Sequence, residues 1–136
     1  MPRRFLIRAI TNLKINALKA HQLCLIKIMK KTQITIDVEL DENHIPEKLT
    51  WNAQDGGIEK EETKATMISV WDDKKMEALR IDLWTKDMPV DQMKMFLHQI
   101  LVSLANTYQR ATGEEDVAAW MEDMAEEFAQ KSAIKM

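Results

Sequence analysis

The sequence predicts an α+β domain, a small antiparallel sheet of three or four strands covered on one face by two C-terminal amphipathic helices. Three observations predict it. Apolar and polar residues alternate through residues 32–40, 61–71 and 76–84, the period of strands with one dry face. Beyond residue 89 the spacing becomes helical, with Met93, Leu97, Ile100, Leu101, Leu104 and Tyr108 along one stripe. Strands precede helices, the order of a sheet with helices gathered on one side.

Taken in order, residues 1–28 hold six Lys or Arg and no acid, a local charge of +6. Three readings of this segment compete. A signal peptide fits poorly, because the longest uncharged run, residues 20–26, is short and no small-residue cleavage site follows it. An amphipathic surface or partner-binding helix would put Leu6, Ile10 and Leu13 on one side. The favoured reading is a basic extension, disordered or outside the native product. Met29-Lys30-Lys31-Thr32 resembles a natural start, and a clean strand follows at once. The expected organisation is therefore an extension over 1–28 and one α+β domain over 29–136.

In the first strand Ile34, Ile36, Val38 and Leu40 share a face, opposite Thr35, Asp37 and Glu39. Residues 41–60 read as irregular, with a helical turn from Pro46 to Trp51 and flexible punctuation at Asp55-Gly56-Gly57. A strand resumes with Ala65, Met67, Ser69 and Trp71 facing away from Thr66, Ile68 and Val70. Asp72-Asp73-Lys74-Lys75 is a polar turn, which makes a hairpin with residues 76–84 the shortest connection. Asp87 is placed to cap the long helix, and Pro89 suits its first turn. Gly113 ends that helix or opens the next, and Thr112 with Glu115 fits a capping box. The last helix carries Val117, Trp120, Met121, Met124 and Phe128 on one stripe and an acidic opposite face.

A chain of 136 residues is one domain by size, and 46% apolar residues suffice for a core. The lone Cys24 excludes an intrachain disulfide and fits a reducing, cytoplasmic setting. No apolar run approaches a membrane span. Outside residues 1–28 there are 13 bases against 22 acids, net −9, and such a body repels nucleic-acid backbones.

Catalytic motifs are missing. There is no phosphate-binding loop, dinucleotide fingerprint, His-Glu-x-x-His or Cys pair. Asp37, Glu39, Asp41, Glu42 and His44 cluster in sequence, but without the glycine and terminal Glu of a calcium loop, and strand alternation explains the first two as a solvated face. His98 reads as a boundary histidine, Arg80 and Asp82 as an exposed ion pair, and Ser69 and Ser103 lack activating neighbours. No catalytic, cofactor-binding or metal residue is assigned, and no cofactor is expected. The tryptophans carry the one candidate site. If Leu79, Ile81 and Leu83 face the helices, Trp71 and Trp84 stand on the outer face near Met67 and Met76 and form a partner surface. Alternatively the 41–60 segment folds over them and Trp51 joins a second small core. Both arrangements stay open, and the candidate surface is Met67, Trp71, Met76, Trp84 and Trp51.

Three segments, Ser69-Val70-Trp71-Asp72-Asp73, the RIDLWTKDMPVDQMKMF run from Arg80 to Phe96, and Gln109-Arg110-Ala111-Thr112-Gly113, together resemble the gliding motility-associated protein GldC family. The likeness runs from Met29 to about Lys135 and excludes residues 1–28. It implies a bacterial, Bacteroidetes origin and an accessory protein of the gliding machinery, without catalytic residues to carry over. The expected function is a non-enzymatic adaptor whose partner is another component of that machinery, and a homo-oligomer is compatible with it. An export-chaperone module similar to SecB in its order of elements is the alternative. An enzyme would need His98, Asp82 and a serine converging on a cavity.

Overall fold

The computed structural model describes residues 29–134 of a chain that divides into two units between Thr32 and Gln33. The basic extension expected over residues 1–28 lies outside the described residues. The second unit is α+β, built from five strands and two helices: β1 (Ile34–Leu40), β2 (Pro46–Ala53), β3 (Ile58–Thr63), β4 (Ala65–Asp72), β5 (Glu77–Trp84), α1 (Val90–Thr112) and α2 (Glu115–Lys131).

The strands form two antiparallel sheets in place of one, β1-β2-β3 and β4-β5. The 41–60 segment is irregular over residues 41–45 but not beyond them, where β2 and the start of β3 lie. Leu49 and Trp51 alternate with Lys48, Thr50 and Asn52 in β2, which pairs with β1 through Ile36 opposite Trp51 and Val38 opposite Leu49. Pro46 begins a strand, where its missing N–H costs no ladder bond, and does not begin a helical turn. A single 3-10 turn, Gln54–Gly56, leads to Gly57, whose φ of 73° lies in the left-handed region that glycine reaches without strain. There the chain reverses into β3.

β3 and β4 are separated only by Lys64, so the strand expected over 61–71 is real but changes partner midway, from β2 to β5. The hairpin β4–β5 has the expected faces: Ala65, Met67, Ser69 and Trp71 oppose Trp84, Asp82, Arg80 and Ala78 without a register shift. Asp72 closes its turn by accepting the N–H groups of Lys74 (3.0 Å) and Lys75 (3.1 Å).

Both helices form where the stripe predicts them, but their ends differ from expectation. The N-cap of α1 is Pro89, with no side-chain cap bond, and Asp87 is drawn away to Lys64. Gly113, at φ 76°, ends α1 and donates its N–H to the Gln109 carbonyl at 2.8 Å. Thr112 forms no capping box. Its hydroxyl donates to the Tyr108 carbonyl (2.9 Å) and accepts from the Glu114 N–H (3.1 Å). The helices pack against each other along an alanine seam of Ala105, Ala118, Ala125 and Ala129, all buried. On α2 the dry line therefore differs from the expected one: Met121 and Phe128 are half-buried, while Val117, Trp120 and Met124 are exposed.

In the sheets Leu49 is the one large side chain fully buried among the described residues. Met88, Met95 and Phe96 stand near it across a cleft between β2, β3 and α1. Helical cover reaches this end of the strands and does not extend over the hairpin. Leu79 and Ile81, expected beneath the helices, are 45% and 55% exposed.

Candidate functional site

Four of the five candidate residues, Met67, Trp71, Met76 and Trp84, lie on the β4–β5 hairpin and its turn. Trp71 and Trp84, on one face, are 62% and 52% exposed, and Met76 stands free at the turn. Met67, on the same face, is half-buried. The 41–60 segment reaches only Trp84, where Ile45 and Pro46 share a small hollow with it and leave it half exposed; most of the segment is spent on β2 and β3. Trp51 is part of the first sheet, half-buried opposite Ile36 and Glu61. The opposite hairpin face was missed by sequence reasoning. Ile68 pairs with Ile81 and Val70 with Leu79, and all four are exposed. Alternation marks a face as apolar; it does not say whether the chain itself or another molecule covers it. The signal available was that both faces of this hairpin carry large apolar residues, more than two helices committed to each other can cover.

The Arg80–Asp82 pair is present on that hairpin, Nε to Oδ2 at 3.0 Å. The hollow that Asp82 lines, with Ile45, Pro46, Leu83, Trp84 and Lys86, holds neither a histidine nor a serine, and a cleft of about 580 Å³ between β2–β3 and α1 is lined by neither Asp82, His98 nor a serine. The rim of that cleft is charged, with Glu47, Lys48, Glu62, Lys64 and Asp87 around Ala65, Met88, Met95 and Phe96. Among the described residues no group of three or more His, Cys, Asp or Glu side chains is placed to hold a metal ion.

Asp41, from the acidic cluster, serves the β1–β2 loop. Its carboxylate accepts the N–H groups of Asn43 (2.8 Å) and Ile45 (3.0 Å) and lies 3.6 Å from the Lys86 ammonium. The Ile45 bond, with those to Asn43 and Lys86, holds its pKa below the ordinary 3.8. A depressed folded pKa means that this group stabilises the fold above 3.8 and that the contribution is lost as pH falls through the folded value. Asp41→Ala is therefore expected to lower the urea midpoint at neutral pH. Its gap from the wild type should narrow on acidification below 3.8, and a gap that stays constant there would show that the carboxylate is not the stabilising group.

The run from Trp84 to Pro89 gains a structural account. Thr85, nearly buried, donates its N–H to the Lys64 carbonyl at 2.8 Å. Lys86 donates its N–H to the Pro46 carbonyl at 3.0 Å, and its ammonium pairs with Glu47, which raises its pKa. Asp87 is held below the ordinary carboxylate value chiefly by Lys64. Met88 donates to the Thr85 carbonyl at 3.0 Å, and Pro89 opens α1. These six residues are the joint where β2, the β3–β4 bend, β5 and α1 meet. A family model described as gliding motility-associated protein GldC-like matches residues 46–134, more than half of the chain, with this joint inside it. The chain belongs to the GldC-like family. The match takes in β2 to the end of α2 and omits β1, a narrower span than the likeness from Met29. The GldC-like description is of an association with gliding motility and names no enzymatic activity. No curated protein and no solved structure matches the chain. Among the described residues no helix is long and apolar enough to cross a membrane.

Proposed function

We propose that this protein is a non-enzymatic accessory component of the gliding machinery of a Bacteroidetes bacterium, that it acts in the cytoplasm by protein–protein contact, and that the β4–β5 hairpin is its contact surface. One observation carries the reading: both faces of the hairpin present large apolar side chains to solvent, Trp71 and Trp84 on one and Val70, Leu79 and Ile81 on the other. Monomeric proteins rarely leave such contiguous apolar surface open, and aromatic anchors dominate the energetics of interfaces. Trp71→Ser with Trp84→Ser should abolish or severely reduce colony spreading in the native host, while the purified double variant keeps its far-UV circular dichroism. Unchanged spreading by a folded double variant would remove the hairpin from the function.

The alternative, a chaperone-like module that holds unfolded chains, is favoured by the further apolar stripe of Val117, Trp120 and Met124 on α2 and by the open cleft beside β3. It predicts that a permanently unfolded protein binds in a fluorescence anisotropy titration, whereas an adaptor gives no such binding.

A further inference from the structure

The free edge of β4 adds something that the exposed side chains alone do not. The Thr85 N–H to Lys64 carbonyl bond fixes the phase of the β4–β5 ladder. Residues 66, 68 and 70 turn their backbone groups toward β5, and residues 65, 67, 69 and 71 turn theirs to the opposite edge. There the Ala65 carbonyl accepts the Thr63 hydroxyl at 3.1 Å. The N–H and C=O groups of Met67, Ser69 and Trp71 have no partner among the described residues.

Exposed edges are normally blunted by charge, proline or a bulge. Three of the four edge strands show this: β1 carries Asp37 and Glu39, β3 carries Glu59, Lys60, Glu61 and Glu62, and β5 carries Glu77, Arg80 and Asp82. From Ala65 to Trp71, β4 has no charge, no proline, no glycine and no bulge. A two-stranded hairpin is also marginal alone in water, and a third strand with a covered face makes it secure.

We propose that the occupant of this edge is a second copy of the chain, with β4 pairing antiparallel to its counterpart about a two-fold axis through Ser69. The proposal rests on the hairpin being the contact surface. That register matches all three outward residues at once, Ser69 to Ser69 of the second copy and Met67 to Trp71 of the second copy, and the reverse. Between them Ile68 meets Val70 and Thr66 meets Asp72, so no like charges oppose each other from residue 65 to residue 73, and the first like pair, Lys64 with Lys74 of the second copy, falls outside the strands. The result is a closed, self-complementary contact, β5-β4-β4-β5, of the kind that two-fold dimers use. Strand pairing alone falls short of the roughly 800 Å² per partner of a standard interface. Trp71 lies at the seam and adds on the order of 150 Å², and Ile68 and Val70 extend the contact on the other face.

The test uses the purified full chain and no partner protein. Sedimentation equilibrium should give twice the chain mass. Ser69→Pro removes the central outward N–H and leaves the β5 ladder intact, so it should weaken the dimer at least about tenfold, since both copies lose that bond. In a Cys24→Ser background, Ser69→Cys should form an intermolecular disulfide under mild oxidation, and Thr66→Cys should not. This arm reports on the register even if the proline variant fails to fold. A monomer at all concentrations, an oligomer indifferent to Ser69→Pro, or no crosslink in the Ser69→Cys variant would each overturn the proposal. Loss of spreading in the tryptophan variant with a strictly monomeric protein would leave the hairpin as a contact surface for a different partner and refute self-pairing alone.

Discussion

Leu49→Ala is expected to cost about 3 kcal/mol of folding stability, from the range for truncated, fully buried leucines. In a domain of this size that corresponds to a fall of roughly 10–20 °C in Tm at fixed protein concentration. Leu49 is 0% exposed on the central strand of the first sheet, with Val38 on one side and Thr63 on the other. No second large side chain among the described residues is fully buried, so no neighbour takes over its role. The site is also poorly able to collapse. Two flanking strands hold β2 in register, and the residues facing it across the cleft, Met88, Met95 and Phe96, are set by the joint and by α1. Leu49→Met conserves volume and should cost less than about 1.5 kcal/mol. Urea unfolding followed by circular dichroism checks both. A loss below about 1 kcal/mol for the alanine variant would place the true core elsewhere.

This residue also marks where sequence reasoning ran out. β1, the β4–β5 hairpin and both helices were legible because their alternation or 3.6-residue stripe continues over many residues. β2 was hidden by Pro46, Glu47 and Lys48, which read as a loop or a helical start, although Leu49 and Trp51 were already two apart. β3, Ile58 to Thr63, holds four charged residues in six positions, so its first half reads as part of the irregular segment ending at residue 60 and its second half as the start of the strand over 61–71. It is stabilised by pairing with β2 and by Lys48–Glu62 at 2.8 Å, and neither depends on a local apolar pattern. Gly57 looked like flexibility and is a tight reversal. The tryptophans of the candidate surface were visible from the strand period, whereas the bare opposite face was not, because the sequence could not show that the helices spend their small residues on each other. Within the Arg80–Phe96 segment that carries the family resemblance, the Trp84–Pro89 run has no reason legible in its own residues. Its reason lies in backbone carbonyls of Lys64 and Pro46, which are remote in sequence and belong to residues of no distinctive type.

The helix pair gives the second large effect and tests that explanation. Ala125→Phe should cost at least about 1–3 kcal/mol through overpacking and reduce the helical circular dichroism signal, whereas Trp120→Ala should stay within about 0.5 kcal/mol of the wild type. The sequence alone predicts the reverse order, since Trp120 is the largest apolar residue of α2 and Ala125 is a small one. At 3.6 residues per turn, Ala118, Ala125 and Ala129 fall on one narrow line, and Val117, Trp120 and Met124 lie about a quarter turn or more away. Helix axes close to within 8–10 Å only where the side chains between them permit it. The buried alanines, at 1% exposure for Ala125, mark that close line. An α2 of 17 residues is marginal in isolation, so wedging it from α1 removes the packing that keeps it folded. Ala119→Phe, one step round to the exposed side, serves as the control for helix propensity. If Trp120→Ala destabilised more than Ala125→Phe, the large stripe would be the packed one. The apolar surface left open on α2 would then vanish, and with it the observation favouring a holder of unfolded chains over an adaptor.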